Sequence, residues 1–289
     1  MNISRPQSFL LVFSVYIISF LAGLLMFSAL GHHSPLYAML AADLTATAVV
    51  WFFSILYKNS SIYDPYWSVA PMAIITGWML LAPSSRTWPV LLLVFAVFFW
   101  GIRLTLNWAI GWRGLGHQDW RYIHYKEKAP KAWVFTNLLG IHMMPTLLVF
   151  SGLVPAYFII RFGGLLNIVT IVGFLVCLVS VTVQIFSDRQ MADFRKSPGS
   201  ADQCLMTGLW KYSRHPNYLG EICFWWGIWL MQVGVLPSMW YTLAGPVLIS
   251  LLFLFVSIPM MERYLEERKP CYAGYKKKVS MLIPWIPMK

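Results

Sequence analysis

Long apolar stretches separated by short polar ones dominate the chain, and their lengths match the ~20 residues a helix needs to cross a bilayer. Such stretches run from Ser8 to Leu30, Leu36 to Tyr57, Trp88 to Ile110, Trp133 to Ile160, Leu165 to Ser187 and Tyr218 to Leu236. Two further stretches, Ser68–Ala82 and Met239–Met260, are shorter or crowd their neighbour. The pattern predicts an all-α, polytopic membrane helix bundle of about eight spans, with seven as the fallback. The expected organisation is a single integral membrane domain over residues 1–289, in which 1–60 supply extra N-terminal spans and 61–289 form the main bundle. The first stretch has no small-residue cleavage site and is too long for a signal-peptide core, so it is expected to stay as a span.

Composition agrees, because 58% hydrophobic and only 11% charged residues do not describe a soluble domain of 289 residues. Charge then orients the bundle. With an even number of spans, one side collects Arg5, Lys58, five basic residues between Gly111 and Lys131, five between Asp188 and Arg214, and seven from Arg263 onward. The other side keeps only Arg86 and Arg161. The positive-inside rule makes the basic side, with both termini, cytoplasmic, in a bacterial inner membrane or, in a eukaryote, the endoplasmic reticulum. The net charge of +11 is spread over several loops, which suits membrane lipids and gives no support to a nucleic-acid partner.

Metal and nucleotide motifs are missing. The four cysteines, Cys177, Cys204, Cys223 and Cys271, share no short spacing and have no histidine at a ligand interval, which argues against a disulfide framework and against zinc. His32 and His33 read as solvated, His142 as a histidine used in helix packing, and no P-loop or Gly-x-Gly-x-x-Gly is present. Neither a metal nor a soluble nucleotide-binding fold is expected.

Candidate chemistry instead lies where polar residues enter apolar spans. In "SRHPNYLGEICFWWG", Pro216 suits the first position of a helix capped by His215, and Asn217 and Glu221, four apart, share a face. The free N–H groups of that helix end beside Arg214 suit an anion such as a phosphate, while Asn217 and Glu221 could equally tie helices together. In "QIFSDRQMADFRK", Gln184, Asp188 and Arg195 stand at offsets of four and eleven, one polar stripe if the helix continues. In "FFWGIRLTLNW", Trp100, Arg103 and Asn107 fall on one face, and the next loop adds Arg113, Asp119, Arg121 and Tyr122. These groups share the basic side and suggest a cavity for a phosphorylated cofactor, open to the cytoplasm. Asp64, flanked by Tyr63 and followed by Pro65, is either a helix N-cap or a carboxyl whose pKa is raised by its aromatic surroundings.

The stretch "GLWKYSRHPNYLGEICFWWG", with "SDRQMADFRK", "DWRY" and "YKKKVSMLIPWIP", resembles the signature of the membrane steroid reductases: the steroid 5-alpha-reductases, the sterol C14-reductase group and bacterial relatives. The resemblance implies an NADPH-dependent reductase of a C=C bond conjugated to a carbonyl in a lipophilic steroid, sterol or other lipid substrate. It implies that Asp188 and Arg195 hold the nucleotide and that Asn217 and Glu221 lie near its nicotinamide end. Arg103, Asn107, Arg113, Gln184, Tyr212, Arg214, His215 and Tyr218 are further cofactor candidates. Tyr63 and Asp64 stand where the family has its carbonyl-polarising Gln-Glu pair, and Trp100 where it has a catalytic tyrosine. Two rival readings remain: an isoprenylcysteine-type methyltransferase using S-adenosylmethionine, and an inactive lipid-binding membrane protein.

Overall fold

The computed structural model describes residues 3–82 and 86–287. Among them every regular element is helical: α1 (Arg5–Ala29), α2 (Pro35–Leu56), α3 (Tyr66–Leu81), α4 (Trp88–Gly111), α5 (Trp120–Lys128), α6 (Pro130–Phe162), α7 (Ile168–Lys196), α8 (Pro216–Val235), α9 (Pro237–Arg268) and α10 (Tyr272–Lys278). Six of these, α1, α2, α4, α6, α7 and α9, are long and apolar enough to cross a membrane. This is an integral multi-pass helical protein. Large apolar side chains on these helices, such as Leu25, Phe52, Phe95 and Phe255, are exposed, as expected of surfaces that face hydrocarbon rather than water. α3, at 16 residues, and α8, whose 20 residues include Asn217, Glu221 and Gln232, fall outside that set of six.

The chain divides into two compact units. The first comprises 1–86 and 97–161; the second comprises 87–96 and 162–289, so α4 contributes to both.

In the first unit, α1 packs along α2, and a short 3₁₀ turn, Ser60–Tyr63, joins α2 to α3. Asn59 through Tyr63 are all buried, so a non-helical backbone lies inside the bundle and must find hydrogen-bond partners within the protein. The segment after α4 provides them. Asn59 Nδ2 donates to the carbonyls of Leu115 (2.8 Å) and His117 (3.0 Å), Ser60 N–H to Gln118 Oε1 (3.3 Å), and Asp119 N–H to Ser61 Oγ (2.9 Å). α6 contains a π-helical stretch, Thr136–Met143, a local widening of the helix often found at functional sites.

In the second unit, α7 and α8 form the most extensive pairing. Gly220, Gly227 and Gly234 recur at seven-residue intervals on α8 and let the backbones touch. A Cβ on Gly227 would lie 2.6 Å from Cys177 Sγ and 2.9 Å from the Gly173 carbonyl, and one on Gly220 2.7 Å from the Ser180 carbonyl. This contact fixes the polar ends of both helices against each other.

One expectation fails here. Cys204 and Cys271 form a disulfide, 67 residues apart in sequence. Spacing gave no warning because the fold makes the pair: the chain returns after α9 to lay α10 on the segment following α7, where Cys204 packs with Tyr272, Tyr275 and Val279.

Candidate functional site

The site in the first unit is built around the 3₁₀ turn. Asp64 takes helical backbone angles at its end, and α3 is capped by Pro65 without a side-chain bond, so the Asp64 carboxyl does not serve as the N-cap of α3. It accepts instead a short hydrogen bond from the Tyr122 phenol of α5. Burial pushes its pKa up to about 6, against the pull of Arg121 and of the Tyr122 bond. Arg121 is held off by Asp119, through Nε–Oδ1 at 2.8 Å and Nη2–Oδ2 at 3.1 Å, and Asp119 also caps α5. The result is a carboxyl that titrates near neutrality, touching a phenol and standing near a guanidinium whose charge is already engaged.

Behind Asp64 a chain of hydroxyls runs inward. Tyr63 Oη is 2.8 Å from Thr146 Oγ1, which is 2.9 Å from Thr47 Oγ1, and Tyr66 Oη donates to Asp43 Oδ1 at 2.8 Å. The Tyr63 and Tyr66 rings stack at 5.4 Å, and Tyr16 donates to the Ile62 carbonyl at 2.8 Å. His142, fully buried, packs its ring 4.6 Å from Tyr63 and bonds through Nδ1 to the Asn137 carbonyl at 2.9 Å. A carbonyl only accepts, so Nδ1 carries the proton. The packing role read for His142 is therefore combined with a fixed tautomer inside a polar core.

Of the catalytic candidates read from sequence, Tyr63, Asp64 and Trp100, and of the cofactor candidates, Arg103, Asn107 and Arg113, belong to this unit. Tyr63 and Asp64 sit in the cluster just described. Trp100 is fully buried with its edge toward Trp67 (6.2 Å), Arg103 is half-buried, and Asn107 and Arg113 are exposed. Asp43 was missed, although a carboxylate in the middle of an apolar span is itself a signal.

The second unit gathers the remaining candidates. α7 continues to Lys196, so Gln184, Asp188 and Arg195 do share a stripe, buried at Gln184 and exposed at Arg195. α8 starts with His215 as its cap and Pro216 in its first turn. Asn217 Nδ2 donates to Asp188 Oδ1 at 3.3 Å, joining the two helix ends, and Tyr218 stacks parallel on His215 at 5.3 Å. Glu221 is buried and accepts from Trp225 Nε1 at 3.0 Å.

Arg214 behaves differently from a surface anion ligand. It is buried, donates through Nε to Glu262 Oε1 (2.8 Å) and through Nη1 to the carbonyls of Lys276 (3.0 Å) and Val279, with Nη2 also 2.8 Å from Glu262. His215 Nε2 lies 3.2 Å from the same carboxylate oxygen, and Lys276 Nζ 3.2 Å from the other. Burial lowers the His215 pKa against the opposing bond to Glu262, while hydrogen bonds to Glu266 and Glu262 raise that of Lys276. Ser213 Oγ to the Leu282 carbonyl (2.8 Å) and Trp285 N–H to the Tyr212 carbonyl (3.1 Å) complete the attachment of the C-terminal segment, and the Tyr212 side chain is exposed. Among the described residues no group of three or more His, Cys, Asp or Glu side chains could hold a metal ion.

Residues 50–279 match the family described as "Protein of unknown function (DUF1295)". The chain belongs to this family. The family is steroid 5-alpha-reductase-like. An uncharacterized protein of Schizosaccharomyces pombe, C594.04c, is 24% identical over 267 aligned residues, covering 82% of this chain and 76% of that protein. Methanethiol S-methyltransferase 1 of Bradyrhizobium diazoefficiens is 37% identical over 78 residues, which span 27% of this chain and 25% of that protein. No solved structure matches.

Proposed function

We propose that this DUF1295 protein is an NADPH-dependent membrane reductase acting on a C=C bond conjugated to a carbonyl in a lipophilic substrate, within an eight-span domain whose cofactor cavity and termini face the cytoplasm. The observation that carries the reading is the Asp64–Tyr122 contact. A carboxyl with its pKa near 6 is protonated often enough at neutral pH to donate a hydrogen bond to a carbonyl oxygen, and Tyr122 adds the phenol that Trp100 lacks. Together they would stabilise the enolate that develops on that oxygen.

The residues of the second unit fit the cofactor. Arg195 offers an exposed cation for a phosphate at the open end of the Asp188 stripe, whereas Arg214 and His215 serve by holding α8 in place. Asp188 and Asn217 fix one another for contact with the nucleoside, and Tyr218 stands beside them, stacked on His215. NADPH, when bound, supplies the hydride for the β carbon. The reading is tested with reconstituted protein, NADPH and a panel of lipophilic enones: substrate-dependent loss of nicotinamide absorbance, abolished by Asp64→Asn, supports it, and consumption that persists in Asp64→Asn sinks the acid role.

A second reading, methyl transfer from S-adenosylmethionine, is favoured by the 78-residue likeness to the methanethiol enzyme. It predicts binding of the methyl donor in place of NADPH and no dependence on Asp64.

A further inference from the structure

At the other end of α2 from the Asp64 turn, the first unit contains a half-open cavity of about 260 Å³. The start of α2 (Pro35), the end of α3 (Trp78, Leu81) and the end of α6 (Tyr157, Ile160, Arg161) line it, with Ala82 at its edge. Trp78 is buried and meets Tyr157 edge to face at 5.2 Å, giving a closed aromatic wall, while Leu81 and Arg161 reach the surface. The volume lies below the ~300–1,000 Å³ of sites that enclose drug-sized molecules, too small for a four-ring sterol and suited to part of one acyl chain. Around it Tyr37, Leu80 and Leu81 are exposed, so the opening lies on a surface built for hydrocarbon.

The mouth carries positive charge from two sources. One is the Arg161 guanidinium. The other is the N-terminus of α2, 22 residues long, whose cap residue Ser34 makes no side-chain bond to the first-turn amides. The flanking connections of this unit, 30–34 and 82–86, hold no Asp or Glu. An apolar slot with a cationic rim at a helix end has the pattern of an amphiphile site: chain inward, anion outward.

We propose that this cavity is a site for one anionic phospholipid of the leaflet opposite the basic loops, with an acyl segment lying against the Trp78–Tyr157 wall and the phosphate at Arg161 and the start of α2. This site is separate from the Asp64 cluster and does not depend on what that cluster catalyses.

The test uses the full chain, reconstituted with equal parts of phosphatidylglycerol and phosphatidylethanolamine, re-extracted in mild detergent and weighed intact by native mass spectrometry. Wild type should carry one phosphatidylglycerol in preference to phosphatidylethanolamine. Arg161→Gln should lower its retention about fivefold, the effect of one basic residue on an anionic lipid, and Arg161→Lys should restore most of it. Ala82→Phe, which narrows the slot and leaves the charge, should reduce retention of both lipids, and Arg86→Gln, outside the lining, should leave retention unchanged. Equal retention in all variants, or an equal loss in Arg86→Gln, would mean that the cations merely reach for the interface and would overturn the site. A co-purifying free fatty acid in place of phospholipid would overturn the assignment of its occupant.

Discussion

Two buried polar clusters, one in each unit, differ in how completely their charges are answered. Around Glu262, one carboxylate meets Arg214, His215 and Lys276, and the remaining Arg214 donors end on main-chain carbonyls. Around Asp64, the nearest guanidinium is engaged by Asp119 and the direct partner is a neutral phenol. A saturated network stays in one protonation state and fastens segments together. An under-compensated carboxyl changes protonation state near neutral pH, which chemistry requires. The conspicuous motif "SRHP" thus fastens segments together, and the less conspicuous "YDPY" holds the carboxyl proposed to act as the acid.

The contrast breaks most visibly at Glu262. Glu262→Ala leaves Arg214 buried without its counter-charge and should cost about 3–5 kcal/mol, read as a large fall in thermal midpoint in detergent or as failure to accumulate. Asp64→Asn should do the reverse: turnover falls by roughly 10²-fold or more, with NADPH affinity and the thermal midpoint close to wild type. A midpoint loss as large as that of Glu262→Ala would make Asp64 structural too. Tyr122→Phe removes one hydrogen bond from the acid and keeps the ring, so turnover should drop by about tenfold, with Asp64 still titrating. Arg195→Ala, at an exposed cation, should weaken NADPH binding by a few-fold, on the order of 1 kcal/mol, without changing stability.

The pH dependence sharpens the same comparison. The fold raises the Asp64 pKa from the carboxylate range to about 6, so the folded state favours protonation more than the unfolded chain does. Its contribution to stability is fully present at low pH and is lost as pH rises through about 6, and acid-dependent turnover falls over the same window. Asp64→Asn should flatten this part of both profiles.

The membrane bundle, the cap and first turn of α8, and the Gln184–Asp188–Arg195 stripe were legible in sequence, because helical periodicity and proline geometry are local. The partners of Asp64 and Arg214 were not. Tyr122 stands 58 residues from Asp64, and Glu262 48 from Arg214, and nothing in either neighbourhood marks the other. The Cys204–Cys271 bond was hidden for the same reason, since the return of the C-terminal segment creates the proximity. The seven-residue glycine repeat of α8 was in plain view, and its meaning came only from the helix it touches.

Equilibrium binding of NADPH and of S-adenosylmethionine to the purified protein in mild detergent, followed by nicotinamide fluorescence and thermal shift, tests the reductase reading most directly. The account predicts saturable NADPH binding, weakened by Arg195→Ala and untouched by Asp64→Asn, with no shift from the methyl donor. Binding of S-adenosylmethionine alone would contradict it and assign the polar ends of α7 and α8 to methyl transfer.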